Sequence, residues 1–147
     1  MGRSAAAHAC RARGTAALTA FLDTNVLVRH FTGDPPETAA RATAALASGE
    51  HLLLTDLVFA ECVYVLESFY EVERPALAEL MRAAIAFPAV ATVDSATLMR
   101  AIEAYELDRL HFADAYLVAQ AEATGVGEIL SFDRALDRIE TVVRREP

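Results

Sequence analysis

Short apolar runs alternate with longer helical patterns along most of this chain, and this alternation limits the folds that it can adopt. Four runs have the length and composition of strands, namely residues 19–23, 51–55, 90–93 and 128–132. Each run is followed by turn or capping residues and then by a helical pattern. Strands separated by helices pair in parallel, because each connection must cross back over the sheet. The pattern therefore predicts an α/β protein with a central parallel sheet of four to five strands flanked by helices.

Six helical patterns and one further strand complete the predicted fold. The helices are predicted over residues 24–31, 37–48, 57–70, 75–87, 95–106 and 111–124, and Asp56 is predicted to cap the helix over 57–70. A final edge strand is predicted at 141–143, after a short helix that Asp133 opens. No low-complexity linker or internal repeat interrupts residues 19–147, so we predict that they form one domain.

Residues 1–18 differ in composition from the rest of the chain. They contain three arginines and much alanine, but no acidic residue. A transit peptide has this arginine-rich, acid-poor composition. The alternatives are a disordered extension or an upstream start codon that is not the biological one. We interpret residues 1–18 as a disordered N-terminal extension that lies outside the domain.

The charge of the chain narrows the functions open to it. The formal charge is −8, and all 13 basic residues are arginines. Without lysine the chain cannot contain a Walker A loop or use a Schiff-base mechanism. An acidic surface argues against general nucleic-acid binding, although bound divalent cations would reverse the charge locally. A basic protein partner is compatible with this balance.

The cysteine content and hydropathy favour a soluble protein of the cytoplasm. The two cysteines, Cys10 and Cys62, do not form a disulfide framework, and this fits a reducing compartment. No apolar run reaches the roughly 18 residues that a membrane-spanning helix needs. We therefore expect a cytoplasmic location and no membrane contact.

Four acidic residues stand at positions where an isolated acid needs an explanation. Asp23 and Asp133 each follow a predicted strand directly, where ligands are held in α/β proteins. Glu61 is the only charged residue between Leu57 and Leu66, and Asp114 is the only acid in the apolar start of its helix. A lone buried carboxylate is costly unless it is paired or binds a metal. The carboxyl ends of parallel strands and the starts of the following helices share one edge of a sheet. We therefore expect the four acids to lie together.

Each acid also has a simpler explanation when it is taken alone. Asp23 and Asp133 could be helix N-caps, and Asp114 could be a first-turn acid that faces the helix dipole. Glu61 could lie on a narrow solvent-exposed stripe near Ser68. Taken together, four oxygen donors without a His or Cys cluster suit a hard cation such as Mg²⁺ or Mn²⁺. Such sites serve phosphoryl chemistry, in which bound metal activates water and stabilises the leaving oxygen.

The segments around these acids resemble the four acidic motifs of PIN-domain nucleases, and more narrowly those of VapC-type toxins of bacterial toxin–antitoxin pairs. The matching segments are Phe21–Leu27, Asp56–Glu61, Phe112–Tyr116 and Leu130–Asp133. They occur in the family's order and spacing, and the similarity covers about residues 19–145. The extra N-terminal residues depart from the family's pattern without touching the motifs.

The resemblance implies a three-layer α/β fold and a Mg²⁺- or Mn²⁺-dependent endoribonuclease. By motif position, Asp23, Glu61 and Asp114 would be the core catalytic metal ligands, and Asp133 would be the fourth, more variable acid. The resemblance also implies a homodimer and a cognate antitoxin that blocks the acidic pocket, often with a basic side chain. It further implies supporting polar groups near the metal, which by motif position would be Thr24, Asn25 and Ser131.

Two other classes of protein also place acids at strand ends. Aspartate-nucleophile phosphohydrolases and response-regulator receiver domains use a lysine, which this chain lacks, and Asn25 stands where the former carry a second aspartate. A non-catalytic module that binds metal or a protein partner through the same acids stays open. Metal-dependent cleavage of RNA separates that module from a nuclease.

Overall fold

Five short strands and six α-helices follow one another over residues 17–147, the part of the chain that the computed structural model describes. The order is β1 (Ala20–Phe21), α1 (Thr24–Thr32), α2 (Pro36–Leu46), β2 (Leu52–Leu54), α3 (Asp56–Ser68), α4 (Arg74–Ala86), β3 (Val90–Thr92), α5 (Ser95–Leu107), α6 (Phe112–Thr124), β4 (Glu128–Leu130), a 3-10 helix (Arg134–Arg138) and β5 (Val143–Arg145). Residues 1–16 of the predicted extension lie outside the described residues, so that assignment stays a prediction.

All the strand pairs are parallel, as the alternation of strands and helices predicts. β2 lies between β1 and β3, with Leu52 beside Ala20 on one side and Val90 on the other. β4 pairs with β5, with Ile129 beside Arg144. The predicted α/β architecture of parallel strands with helices is confirmed.

The five strands form two hydrogen-bonded sheets, of three and two strands, within residues 17–147. β1 is bonded only on its β2 side, and both of its residues are exposed. A strand of two residues offers few backbone groups for a second ladder. The predicted single sheet of four to five strands therefore consists of two parallel groups in this structure.

Three local predictions are wrong in detail. The last strand starts two residues later than 141–143, because Val142 turns into the core and is buried. The second helix ends at Leu46 rather than at residue 48. Thr55, and not Asp56, caps α3, since the Thr55 hydroxyl accepts a hydrogen bond from the Val58 amide at 3.3 Å.

The core is a single cluster of apolar side chains to which all six helices and both sheets contribute. Helices α5 and α6 pack together most extensively, and α1 packs on α2. Helix α3 contacts α1, α4 and α6, so it lies between the two ends of the helical layer. Phe59, Leu66 and Tyr105 are fully buried in this core. Helix α3 is therefore the element through which the first and last parts of the chain meet.

Among the helices in residues 17–147, none is both long enough and apolar enough to cross a membrane.

Candidate metal centre

Asp23 lies between β1 and α1, at the position that precedes the first turn of the helix. Its backbone is extended, with φ −92° and ψ 155°, but its carboxylate accepts no hydrogen bond from the helix. The capping alternative therefore does not account for this side chain. The carboxylate is exposed and lines a cleft. Asp23 is consequently available to a ligand in that cleft.

Glu61 lines the same cleft, and it is exposed rather than buried. The apolar sequence of α3 suggests a buried helix, but Leu57 and Tyr64 on the same face are themselves 80% and 67% exposed. Glu61 thus lies on an exposed stripe of α3 that includes Ser68, and the prediction that it is buried is wrong. The cost of burying a lone charge is no longer an argument for metal binding at this residue.

A hydrogen bond from the Thr24 hydroxyl to Glu61 Oε2 joins the start of α1 to α3. Thr24 is buried, so its hydroxyl has few other partners. Because this bond fixes one carboxylate oxygen of Glu61, it also holds the side chain beside Asp23. Thr24 therefore orders the acidic pair, which is a supporting role of the kind that the sequence predicts for it.

The cleft that contains this pair has a volume of about 430 Å³. Its acidic wall is formed by Asp23, Glu61 and Asp34, and Asn25 adds an amide. The rest of the lining is apolar, aromatic or basic and contains none of the predicted site residues, namely Val28, Arg29, Val65, Phe69 and Tyr70. Phe69 is 76% exposed, so the cleft combines carboxylates with an open apolar rim.

Cys62 lies directly under the acidic pair. It is fully buried, and its thiol is 3.9 Å from the carbonyl oxygen of Thr24. Burial, followed by the negative charges of Glu61 and Asp23, raises the pKa of this thiol to about 12. A thiol that stays protonated is neither a nucleophile nor a good metal ligand. The chemistry of the cleft therefore belongs to its oxygen donors.

Asp114 and Asp133 form a second acidic pair. Asp114 is half-buried in the first turn of α6, and Asp133 precedes the 3-10 helix. Burial and then the charge of Asp133 raise the pKa of Asp114, against an opposing effect of His111. These two carboxylates therefore lie close enough to repel each other when both are ionised.

Asp133 also has the capping role that was its simpler explanation. Its Oδ1 accepts a hydrogen bond from the Ala135 amide at 2.8 Å, and its own amide donates to Ser131 Oγ at 3.0 Å. Ser131 thereby orders the turn that presents Asp133. One carboxylate oxygen of Asp133 is engaged as a cap, while the other is free to face Asp114.

One buried aromatic contact connects the two helices that carry Glu61 and Asp114. Phe59, two residues before Glu61, packs against Phe112, two residues before Asp114, with ring centroids 5.5 Å apart. The pairs are nevertheless separate: no three His, Cys, Asp or Glu side chains among residues 17–147 are placed together as they would be around a metal ion. The structure therefore places the four predicted acids in two separate pairs.

The donor set fits a hard divalent cation in its chemistry. All four side chains are carboxylates, and within residues 17–147 none of them forms a salt bridge with an arginine or histidine. Two like-charged pairs without a basic partner are stabilised by a cation that binds to them. Because the two pairs are separate within residues 17–147, this fit is one of donor chemistry and not of geometry.

Comparison with known proteins identifies the family. The model of the PIN domain family matches residues 20–142. The chain belongs to the PIN domain family. PIN domains are generally metal-dependent nucleases, and they use divalent metal ions. The match contains the four predicted site acids, as well as Thr24, Asn25 and Ser131.

Comparison with individual proteins is less informative. No curated protein matches this PIN domain. Among solved structures, it is similar to a chain in the crystal structure of VapBC2 from Rickettsia felis bound to a DNA fragment from their promoter. The identity is 16%, the alignment covers 86% of this chain and 97% of that chain, and the TM-score is 0.35. A likeness this distant carries no information about activity or partners.

Neutralising Asp114 should stabilise the metal-free PIN domain. A carboxyl group whose pKa is raised by folding contributes stability below its unfolded pKa, and this contribution is lost as the pH rises through the folded pKa. Asp114→Asn should therefore raise the melting temperature in EDTA near neutral pH by up to a few degrees. The advantage should disappear in acid, where the parent is protonated.

Asp137→Asn is the control of opposite sign, because pairing with Arg144 lowers the pKa of Asp137. This variant should not gain stability at neutral pH. A melting temperature of Asp114→Asn below that of the parent, measured by circular dichroism across pH, would show that Asp114 has a structural partner instead.

Proposed function

We propose that this PIN domain is a Mg²⁺- or Mn²⁺-dependent endoribonuclease and the toxin of a toxin–antitoxin pair. The observation that carries the proposal is the arrangement of the four acids. They come from four separate elements of the fold, they form two like-charged pairs, and neither pair contains a basic partner. A structural role would favour carboxylates that are paired with arginine, as Glu106 and Glu122 are here.

The side chains around the acids have different roles in the proposed site. Thr24 fixes Glu61, and Ser131 orders the turn before Asp133. Asn25 adds a neutral amide to the wall of the cleft, which suits contact with a ribose or phosphate oxygen. A bound Mg²⁺ or Mn²⁺ would supply activated water and would neutralise charge on the phosphate that is cleaved. The carboxylates position the ion and are not themselves nucleophiles.

The toxin role rests on the narrower motif resemblance and on the surface of the cleft. An antitoxin that blocks the site would place a basic side chain between the carboxylates and would cover the apolar rim at Phe69. The formal charge of −8 favours such a partner. We also propose a homodimer, as the same resemblance implies.

Asp23→Asn should abolish cleavage of RNA. Purified protein would be incubated with structured RNAs and Mg²⁺ or Mn²⁺, and the products would be separated on gels. We expect cleavage by the parent, none in EDTA, and a loss of at least about a hundredfold for Asp23→Asn, because electrostatic groups at the reacting phosphate typically contribute that much.

Asp34→Asn is the matched control for this experiment. Asp34 lines the same cleft and the substitution removes the same charge, but Asp34 belongs to none of the four motifs. It should retain most of the activity. Equal cleavage by Asp23→Asn and the parent would refute the site. A parent that binds Mn²⁺ but cleaves no RNA would favour the non-catalytic module.

The toxin role predicts a growth phenotype. Expression of the chain should arrest a bacterial host, since uncontrolled cleavage of cellular RNA stops translation. Co-expression of a small protein encoded beside it should restore growth. Normal growth during expression of folded, active nuclease would contradict the toxin role and would leave the nuclease assignment intact.

A further inference from the structure

A second cleft adjoins the acidic one and extends it between α1 and α2. Its volume is about 450 Å³. The two clefts share Asn25 and Arg29, so they are continuous at the first two turns of α1. The remaining lining residues of the second cleft are Val26, Thr38, Arg41, Ala42 and Ala45. The second cleft contains two arginines and no acid, whereas the first contains three acids and one arginine.

The two arginines of the second cleft have no carboxylate partner among residues 17–147, although the chain is acidic. The chain has 21 acidic residues against 13 arginines, so a carboxylate partner is easy to supply. Ten arginines lie in residues 17–147, and half of them form salt bridges, namely Arg74, Arg82, Arg100, Arg144 and Arg145. Within the same residues, neither Arg29 nor Arg41 has a carboxylate partner. The second cleft therefore carries uncompensated positive charge.

Arg29 is held in place while part of its guanidinium stays available. Its Nη1 donates to the carbonyl oxygen of Asp34 at 2.9 Å and to the Tyr70 hydroxyl at 3.2 Å. In the described part of the chain, its Nε and Nη2 donate to no protein group. A guanidinium that is oriented by neutral acceptors keeps both its charge and two donor nitrogens for an anion. Arg41 is exposed and makes no hydrogen bond with residues 17–147.

We propose that the second cleft binds the phosphate backbone of the RNA strand as it leaves the acidic site. This inference rests on the proposed nuclease function. Arg29, at the junction of the two clefts, binds a phosphate next to the cleaved one, and Arg41 binds a phosphate farther along the strand. The apolar floor at Val26 and Ala42 offers a surface for the sugars. The arrangement explains how an acidic protein holds a polyanion without a general basic surface.

Binding of RNA without metal tests the second cleft. A short fluorescein-labelled single-stranded RNA would be titrated in EDTA with the parent, Arg29→Gln and Arg41→Gln, and its integrity would be checked afterwards. Each arginine that contacts one phosphate of a single strand contributes about 0.7 to the slope of log K against log[salt]. Each substitution should therefore lower the slope by about 0.7 and weaken binding about fivefold at 0.1 M salt.

Arg145→Gln is the control for net charge. Arg145 is exposed, pairs only with exposed Glu128 and lines neither cleft. The slope of log K against log[salt] for Arg145→Gln should equal that of the parent. Arg29→Gln also loses two structural hydrogen bonds, so the melting temperature of each variant would be measured. Arg41→Gln loses no hydrogen bond with residues 17–147, so its RNA binding tests the second cleft even if Arg29→Gln is unstable.

The outcomes separate this inference from the proposed function. Unchanged slopes for both variants of a protein that cleaves RNA in Mg²⁺ would refute the second cleft and leave the nuclease assignment standing. Unchanged RNA slopes with weakened binding of a labelled polyglutamate peptide would assign the cleft to an acidic protein partner and refute it for RNA. A parent that does not cleave RNA would refute the nuclease function, whatever the slopes are.

Discussion

The parallel pairing of β1, β2 and β3 is the constraint on which the rest of the structure depends. Parallel strands need a crossover after each strand, so every strand end is followed by a turn and a helix start at the same edge of the sheet. Asp23 follows β1, Thr55 and Asp56 follow β2, and Asp94 follows β3. The fold thus places polar groups at one edge of the β1–β2–β3 sheet, whatever the chemistry of the site.

These polar groups have different tasks. Thr55 and Asp94 cap the helices that they precede, and Asp56 accepts a hydrogen bond from the Tyr116 hydroxyl. Asp23 alone among the residues that follow β1, β2 and β3 occupies a cap position without capping. Its carboxylate is therefore left for the cleft, where Thr24 and Glu61 complete the first acidic pair.

Helix α3 connects this pair to the second one. It carries Glu61 on an exposed stripe and Phe59 on its buried side, and Phe59 contacts Phe112 at the start of α6. The buried faces of α3 and α6 fix the relative positions of the helix starts, while the acids stay accessible to solvent. Because the carboxylates are exposed or half-buried, the protein avoids most of the cost of burying charge. Within the second pair, burial and then the charge of Asp133 still raise the pKa of Asp114, and a cation bound there would relieve the repulsion.

The sequence predicts the order and type of the elements well, because hydrophobic periodicity and capping residues act locally. The expectation that all four acids lie together is met only in part, because within residues 17–147 they form two separate pairs. Burial is harder to predict: the apolar sequence of α3 does not reveal that Leu57, Glu61 and Tyr64 share an exposed face. The division into two sheets depends on the short ladder of β1, which no local pattern reveals.

The second cleft illustrates another limit of the sequence. Arg29 lies close in sequence to an acidic motif, but this spacing does not distinguish a phosphate contact from a solvated surface arginine. Its importance depends on Tyr70 and Asp34, which hold the guanidinium, and on Arg41 from the neighbouring helix. Contacts between distant segments decide whether an arginine is paired, and spacing along the chain does not.

The proposed nuclease function requires both acidic pairs to contribute to one metal site, although the pairs are separate within residues 17–147 of this structure. Titration calorimetry with Mn²⁺ tests it, with Asp23→Asn from the first pair, Asp114→Asn from the second and Asp34→Asn as the control. We expect Asp23→Asn and Asp114→Asn each to weaken Mn²⁺ binding by at least about tenfold, as the loss of a ligand or of its support typically does. Asp34→Asn should bind Mn²⁺ as the parent does. Unchanged Mn²⁺ affinity for Asp114→Asn, alongside loss of binding for Asp23→Asn, would show that the pairs do not form one site.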